Sequence, residues 1–195
     1  SMLMTKYTKI IFSLLLLLSF LQTSCAPLII TAPTVSSDRR GIEGQYIDQR
    51  IEMAAIVEVQ EIDGDFRADF VSFNKKVLVV GQAPNQELIE KIIQTIKKIK
   101  NVEQVFNRMT VGKELSYKAI VNDAVITTNV ITRIFAKEKE GLLSALLVKV
   151  YTENRVVYLM GLLSQDEAEQ AIDIAQNSKG AKKVVSLIEI QSFKK

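Results

Sequence analysis

Beyond its first forty-odd residues, this 195-residue chain switches between two hydrophobic periods, and it does so twice. Ala68, Phe70 and Ser72 alternate with Arg67, Asp69 and Val71, and Val148, Val150 and Thr152 alternate with Leu147, Lys149 and Tyr151. A period of two predicts a strand with one buried face. Each leads through a turn holding Asn74 or Asn154 into a second strand ending at Gly81 or Gly161. The period then lengthens. Leu88, Ile89, Ile92, Ile93, Ile96 and Ile99 form one helical stripe, matched by Ala168, Ala171, Ile172 and Ala175 behind the capping-box spacing Ser164-Gln165-Asp166-Glu167. Asn101 and Gly180 follow as residues that tolerate a left-handed stop. A last strand alternates through Val105, Asn107, Met109 and Val111, and through Val184, Ser186, Ile188 and Ile190.

The two halves are one unit written twice, since Asn74-Lys75-Lys76-Val77-Leu78-Val79-Val80-Gly81 answers Asn154-Arg155-Val156-Val157-Tyr158-Leu159-Met160-Gly161. Upstream, Asp48, Ile51 and Val59 answer Asp123, Ile126 and Ile134. The opening segment of the first unit, residues 46–62, places Ile47, Ile51, Ala55 and Val59 at four-residue spacing and predicts a helix. Its counterpart from Asp123 onward is rich in β-branched residues and by propensity alone reads as a strand. The repeat puts Ile126, Val130 and Ile134 on a buried helical face, and that correspondence outweighs propensity. The expected fold class is α+β: two tandem αββαβ domains, residues 45–114 and 115–195. Each has a small mixed three-stranded sheet packed on two helices.

The N-terminal pattern differs. Lys6 and Lys9 precede an apolar run over residues 10–21, the order of a secretory signal peptide, assigned to residues 1–24. Residues 25–44, broken by Pro27, Pro33, Gly41 and Gly44 around the charged Asp38-Arg39-Arg40, read as a flexible tether. The net charge of +3 loses two when Lys6 and Lys9 are removed, which is no footprint for gripping nucleic acid. There is no histidine and a single cysteine. Ser-His and Cys-His nucleophile pairs and histidine-based zinc sites are thereby excluded, as is an intramolecular disulfide. No spacing suggests a carboxylate or lysine active site, so the expectation is a non-enzyme without metal or cofactor.

The segment Leu21-Gln22-Thr23-Ser24-Cys25 resembles the lipobox of bacterial lipoproteins, with small Ser24 in place and Gln22 where leucine is usual. The resemblance implies lipidation at Cys25, and Ala26 in place of aspartate implies the outer membrane. The αββαβ unit with glycine closing its second strand resembles the BON domain. Stretches such as Val80-Gly81-Gln82-Ala83-Pro84-Asn85 and Tyr158-Leu159-Met160-Gly161 carry the likeness. Lipobox, linker and two such units together look like a dual-BON outer-membrane lipoprotein. That likeness implies a lipid-anchored protein facing the periplasm that supports outer-membrane integrity. It further implies binding of anionic phospholipid by the second domain, chiefly through its first helix, with an envelope or cell-wall protein partner as the alternative.

On that helix, inward Ile126, Val130 and Ile134 leave Val121, Val125, Thr128, Thr132 and Phe135 on the opposite side. Lys118 and Arg133 stand at its edges for lipid phosphates. An apolar outer stripe suggests a membrane or partner surface, or packing on the first domain. Val125 stands where such proteins can carry tryptophan, the stronger interfacial anchor. Gly81 and Gly161 read as sites of close backbone packing. The clusters Lys97-Lys98-Lys100 and Lys182-Lys183 read as solvated faces.

Overall fold

The computed structural model describes residues 38–138 and 143–192. The signal segment, Cys25 and most of the tether lie outside the described residues. The first unit runs α1 (Gly41–Gln60), β1 (Arg67–Phe73), β2 (Lys76–Ala83), α2 (Gln86–Lys97) and β3 (Gln104–Val111). The second runs α3 (Tyr117–Glu138), a short 3-10 turn, β4 (Val148–Glu153), β5 (Val156–Leu163), α4 (Gln165–Gln176), β6 (Lys183–Ser186) and β7 (Glu189–Ile190). In each half the first two strands form an antiparallel hairpin, and the closing strand joins parallel beside the second. The fold is α+β with two small mixed sheets, as the periodicity indicated.

Two details depart from the sequence reading. The last strand of the second unit is split, with β6 and β7 both pairing parallel to β5. No register slip occurs, because Val156 faces Lys183 and Leu162 faces Glu189, the same offset on either side of the gap. The tether reading also extends too far. Helix α1 begins at Gly41, and the three charged residues before it are held. Arg40 pairs with Asp38 and, at 2.7 Å, with Asp48, and lays its guanidinium 4.0 Å from the Phe73 ring centre. Arg39 pairs with Glu167 at 2.6 Å and donates to the Leu162 carbonyl at 2.9 Å. Hydrogen bonding by Arg39 holds the Glu167 carboxyl below its ordinary value. The cluster found fixed partners, which a solvated spacer would not have given it.

Each hairpin turn is fastened to the helix in front of it by a buried aspartate. Asn74 and Lys75 both take positive φ (49° and 62°), as do Asn154 and Arg155 (47° and 65°), which gives the double left-handed turn that suits hairpin twist. Asp48 accepts the backbone N–H of Asn74 at 2.7 Å, that of Lys75 at 2.8 Å and the Ser72 hydroxyl at 2.8 Å. Asp123 accepts the N–H of Asn154 at 2.7 Å and of Arg155 at 2.8 Å.

The strands β2 and β5 are buried on both faces. Val77 and Val79 pack with Ile51, Ala55, Ile92 and Ile96 of their own helices, and Val157 and Leu159 do so with Ile126, Val130 and Ala171. Ile92 is fully buried, whereas Ile172 is only partly so, because Ala171 and Ile174 take the deeper positions of α4. On the other face, Val71, Phe73, Leu78 and Val80 meet Tyr158, Met160 and Leu162 in a third core. The two sheets lie back to back with helices outermost. Polar contacts rim this core. Lys149 reaches Glu52 at 2.6 Å and the Ser72 carbonyl at 3.0 Å, and Lys76 pairs with Glu189 at 2.6 Å. Arg67 bridges Asp69 and Glu153, and Gln82 donates to Glu153 at 2.6 Å.

Gly81 has φ +130°, and a Cβ there would sit 1.9 Å from the Arg67 carbonyl oxygen across the hairpin. Gly161 is milder, with 2.7 Å to the Leu147 carbonyl. Gly81→Ala should therefore destabilise the protein by at least about 2 kcal/mol, combining backbone strain with overpacking. Gly161→Ala should cost less. Urea unfolding of both variants checks the order, and an unchanged midpoint for Gly81→Ala would contradict the close approach.

Candidate functional site on the outer face of the long helix

Helix α3 forms against local propensity. It holds β-branched residues at 120–121, 125–128, 130–132 and 134, but Ser116 caps it, its carbonyl accepting the N–H of Ile120 at 3.1 Å and its hydroxyl that of Ala119 at 3.3 Å. Asp123, Ile126, Val130 and Ile134 are buried along one side, and tertiary packing of that stripe supplies the helix stability. Thr127 donates to Thr152 at 2.8 Å and adds a polar stitch to β4.

The opposite side is solvent-facing. Lys118, Val121, Val125, Thr128, Thr132, Arg133 and Phe135 are all exposed, Val125 by 52% and Phe135 by 58%. Ile131 and Tyr117 extend the same apolar surface. Among the described residues, α3 is the one helix long and apolar enough to cross a membrane by length and composition, with 22% of that window buried. Its buried stripe and fastened aspartate instead make it an amphipathic helix lying on its own sheet. Two of the sequence-selected residues also have local duties. Thr128 donates back to the Ala124 carbonyl at 2.9 Å, and Arg133 donates to the Asn177 carbonyl just past the end of α4.

The charge pattern is one-sided. Between Tyr117 and Lys137 the helix contains a single acid, Asp123, which is 5% exposed and engaged with the hairpin turn. The outer surface over that stretch holds Lys118, with Arg133 at its edge, and no carboxylate. The sequence reading found this face but missed why its charge has one sign. The repeated aspartate at 48 and 123 was the available signal.

Packing on the first domain does not cover this stripe, although its edge borders that domain. Ile120, Ala124, Thr127 and Thr128 line a cleft of roughly 470 Å3 with Arg67, Asp69, Tyr151 and Glu153. Acids outnumber bases in the cleft: Arg67 is paired to both Asp69 and Glu153, Asp123 also lines it, and the Tyr151 hydroxyl donates to Asp69 at 3.0 Å. Burial, then the nearby Asp69 charge, pushes the Tyr151 hydroxyl pKa well up, so it stays a donor. The cleft therefore offers no excess of positive charge for an anionic headgroup.

Lys97, Lys98, Lys100, Lys182 and Lys183 are exposed, and Lys97 lies in the last turn of α2, where a cation complements the helix dipole.

Comparison with known proteins agrees with this architecture. The BON domain model matches twice, at residues 54–113 and 122–192. The outer membrane lipoprotein DolP of Haemophilus influenzae is 33% identical over 174 residues, covering 86% of this chain and 89% of that protein. The 21 kDa hemolysin of Actinobacillus pleuropneumoniae is 29% identical over 147 residues, covering 75% of this chain and 74% of that one. Among solved structures, CdsD, a structural protein of the type III secretion system of Chlamydia trachomatis, matches 71% of this chain and 91% of its own at a TM-score of 0.27 and 12% identity, too slight to carry an argument. With both halves matched and nearly the whole chain aligned to DolP, the chain belongs to the BON-domain family as a dual-domain, DolP-like member.

Proposed function

We propose that this chain is a lipid-anchored outer-membrane protein facing the periplasm, tethered through Cys25, whose second BON domain holds anionic phospholipid and so supports outer-membrane integrity. The observation that carries the lipid reading is the outer face of α3, apolar along Val121, Val125 and Phe135, edged by Lys118 and Arg133, and without an exposed acid before Glu138. Apolar groups enter the headgroup boundary while cations hold phosphates, and each near-surface basic residue contributes about 1 kcal/mol on an anionic membrane. Similarity to DolP, an outer membrane lipoprotein, supports the location. The role proposed is binding and positioning.

Val125→Glu should weaken binding of a fragment spanning residues 34–195 to anionic vesicles by at least about tenfold. Its circular dichroism and melting point should hold, because the side chain is exposed. Val125→Trp should strengthen binding. Co-sedimentation with phosphatidylglycerol-containing and purely zwitterionic vesicles checks both. Binding unchanged by Val125→Glu would place the lipid surface elsewhere.

Cys25→Ala in the full chain should shift the protein from the outer-membrane fraction to the soluble periplasm. Retention in the membrane fraction after a high-salt wash would contradict lipid anchoring.

A further inference from the structure

The first helix of the other unit carries an outer stripe that neither the fold nor the lipid reading uses. On α1, Ile42, Tyr46, Met53 and Val57 are exposed, Ile42 by 67% and Met53 by 62%. They sit at helical spacing opposite the buried Asp48, Ile51, Ala55 and Val59. Arg50 lies over the Tyr46 ring at 5.7 Å. This face does not suit an anionic membrane, because exposed Glu43 and Glu58 flank it and Arg50 is its one base.

The charges relate the two helices. The aspartates at 48 and 123 fix the repeat offset, and by that offset Glu43 corresponds to Lys118 and Glu58 to Arg133. Both pairs are exposed, each pair is separated by the same fifteen residues, and every sign is reversed. At 1.5 Å per residue the members of each pair stand about 22 Å apart. An acidic apolar stripe and a basic apolar stripe of matching length are thus present on one chain.

From this complementarity we propose that α1 of one copy docks antiparallel on α3 of a second copy. Glu43 then stands opposite Arg133 and Glu58 opposite Lys118, a register that sets Met53 and Val57 against Val121 and Val125 and Tyr46 against Thr128 and Thr132. Antiparallel docking also opposes the helix dipoles. The contact joins different surfaces on the two copies, so it is heterologous, and a pair of copies keeps one free α1 stripe and one free α3 stripe for growth into chains or rings. A single helix pair lies at the small end of specific interfaces, which makes the association weak and concentration-dependent. The contact needs no membrane, so it stands or falls separately from the lipid reading.

Sedimentation velocity of the 34–195 fragment at low salt and without lipid provides the test. Average mass should rise with concentration in the wild type and fall back as salt screens the charges. E43K/E58K and K118E/V125E should each associate at least about tenfold more weakly, with unchanged circular dichroism melts. Mixing the two variants should restore a 1:1 heterodimer that grows no further, because only the intact α1 of one and the intact α3 of the other fit. A wild type that stays monomeric throughout would overturn the proposal and leave the α1 stripe to a different protein. Wild-type association that the mixture fails to restore would overturn it in favour of a symmetric contact.

Discussion

A buried carboxylate near the front of the first helix in each half ties that helix to the tip of the hairpin behind it. Two successive non-glycine residues with positive φ are unfavourable, by roughly 1–2 kcal/mol each. Their N–H groups, pointing back toward the helix, must also find partners. Asp48 and Asp123 meet both N–H groups with charge-assisted bonds, each contributing about 1.5–3 kcal/mol. That balance keeps the tight turn, fixes the helix rotation and decides which helical face meets the sheet. It also has an electrostatic consequence. The one acid that α3 carries before its last residue is the one the fold draws inward, so the face it turns outward holds apolar groups, threonines and cations and no carboxylate.

The second constraint is the burial of both faces of β2 and β5. The runs Val77-Leu78-Val79-Val80 and Val156-Val157-Tyr158-Leu159-Met160 leave no polar side for solvent, so each sheet must be covered twice. One cover is the unit's own helix pair and the other is the partner sheet. Ion pairs at the rim, such as Lys149 with Glu52, add register more than energy. Because the sheets occupy the middle, both long helices are left on the outside, where their outer stripes meet solvent.

The αββαβ order, the helical nature of α3 and the buried stripe Ile126, Val130 and Ile134 were legible in the sequence because the repeat transferred the clearer pattern of one half onto the other. The outer stripe followed by geometry. The sheet-to-sheet core was not read, although the unbroken apolar runs in β2 and β5 announce two buried faces. The fixed positions of Arg39 and Arg40 were illegible for a different reason. Their partners Glu167 and Asp48 lie 128 and 8 residues away, and nothing local distinguishes a paired arginine from a solvated one. The split between β6 and β7 falls opposite Met160 and Gly161 without a break in hydrophobic alternation, so periodicity could not signal it.

The central claim is that one helix face, and not its repeat counterpart, enters an anionic membrane. The single natural cysteine, Cys25, lies outside a fragment starting at residue 34, so an introduced cysteine there is unique. An environment-sensitive fluorophore placed at Val125→Cys on α3, and separately at Met53→Cys on α1, reads the two faces independently. On adding phosphatidylglycerol-containing vesicles, the label at 125 should shift to an apolar emission and the label at 53 should not. A shift at 53 alone, or none at 125, would contradict the account.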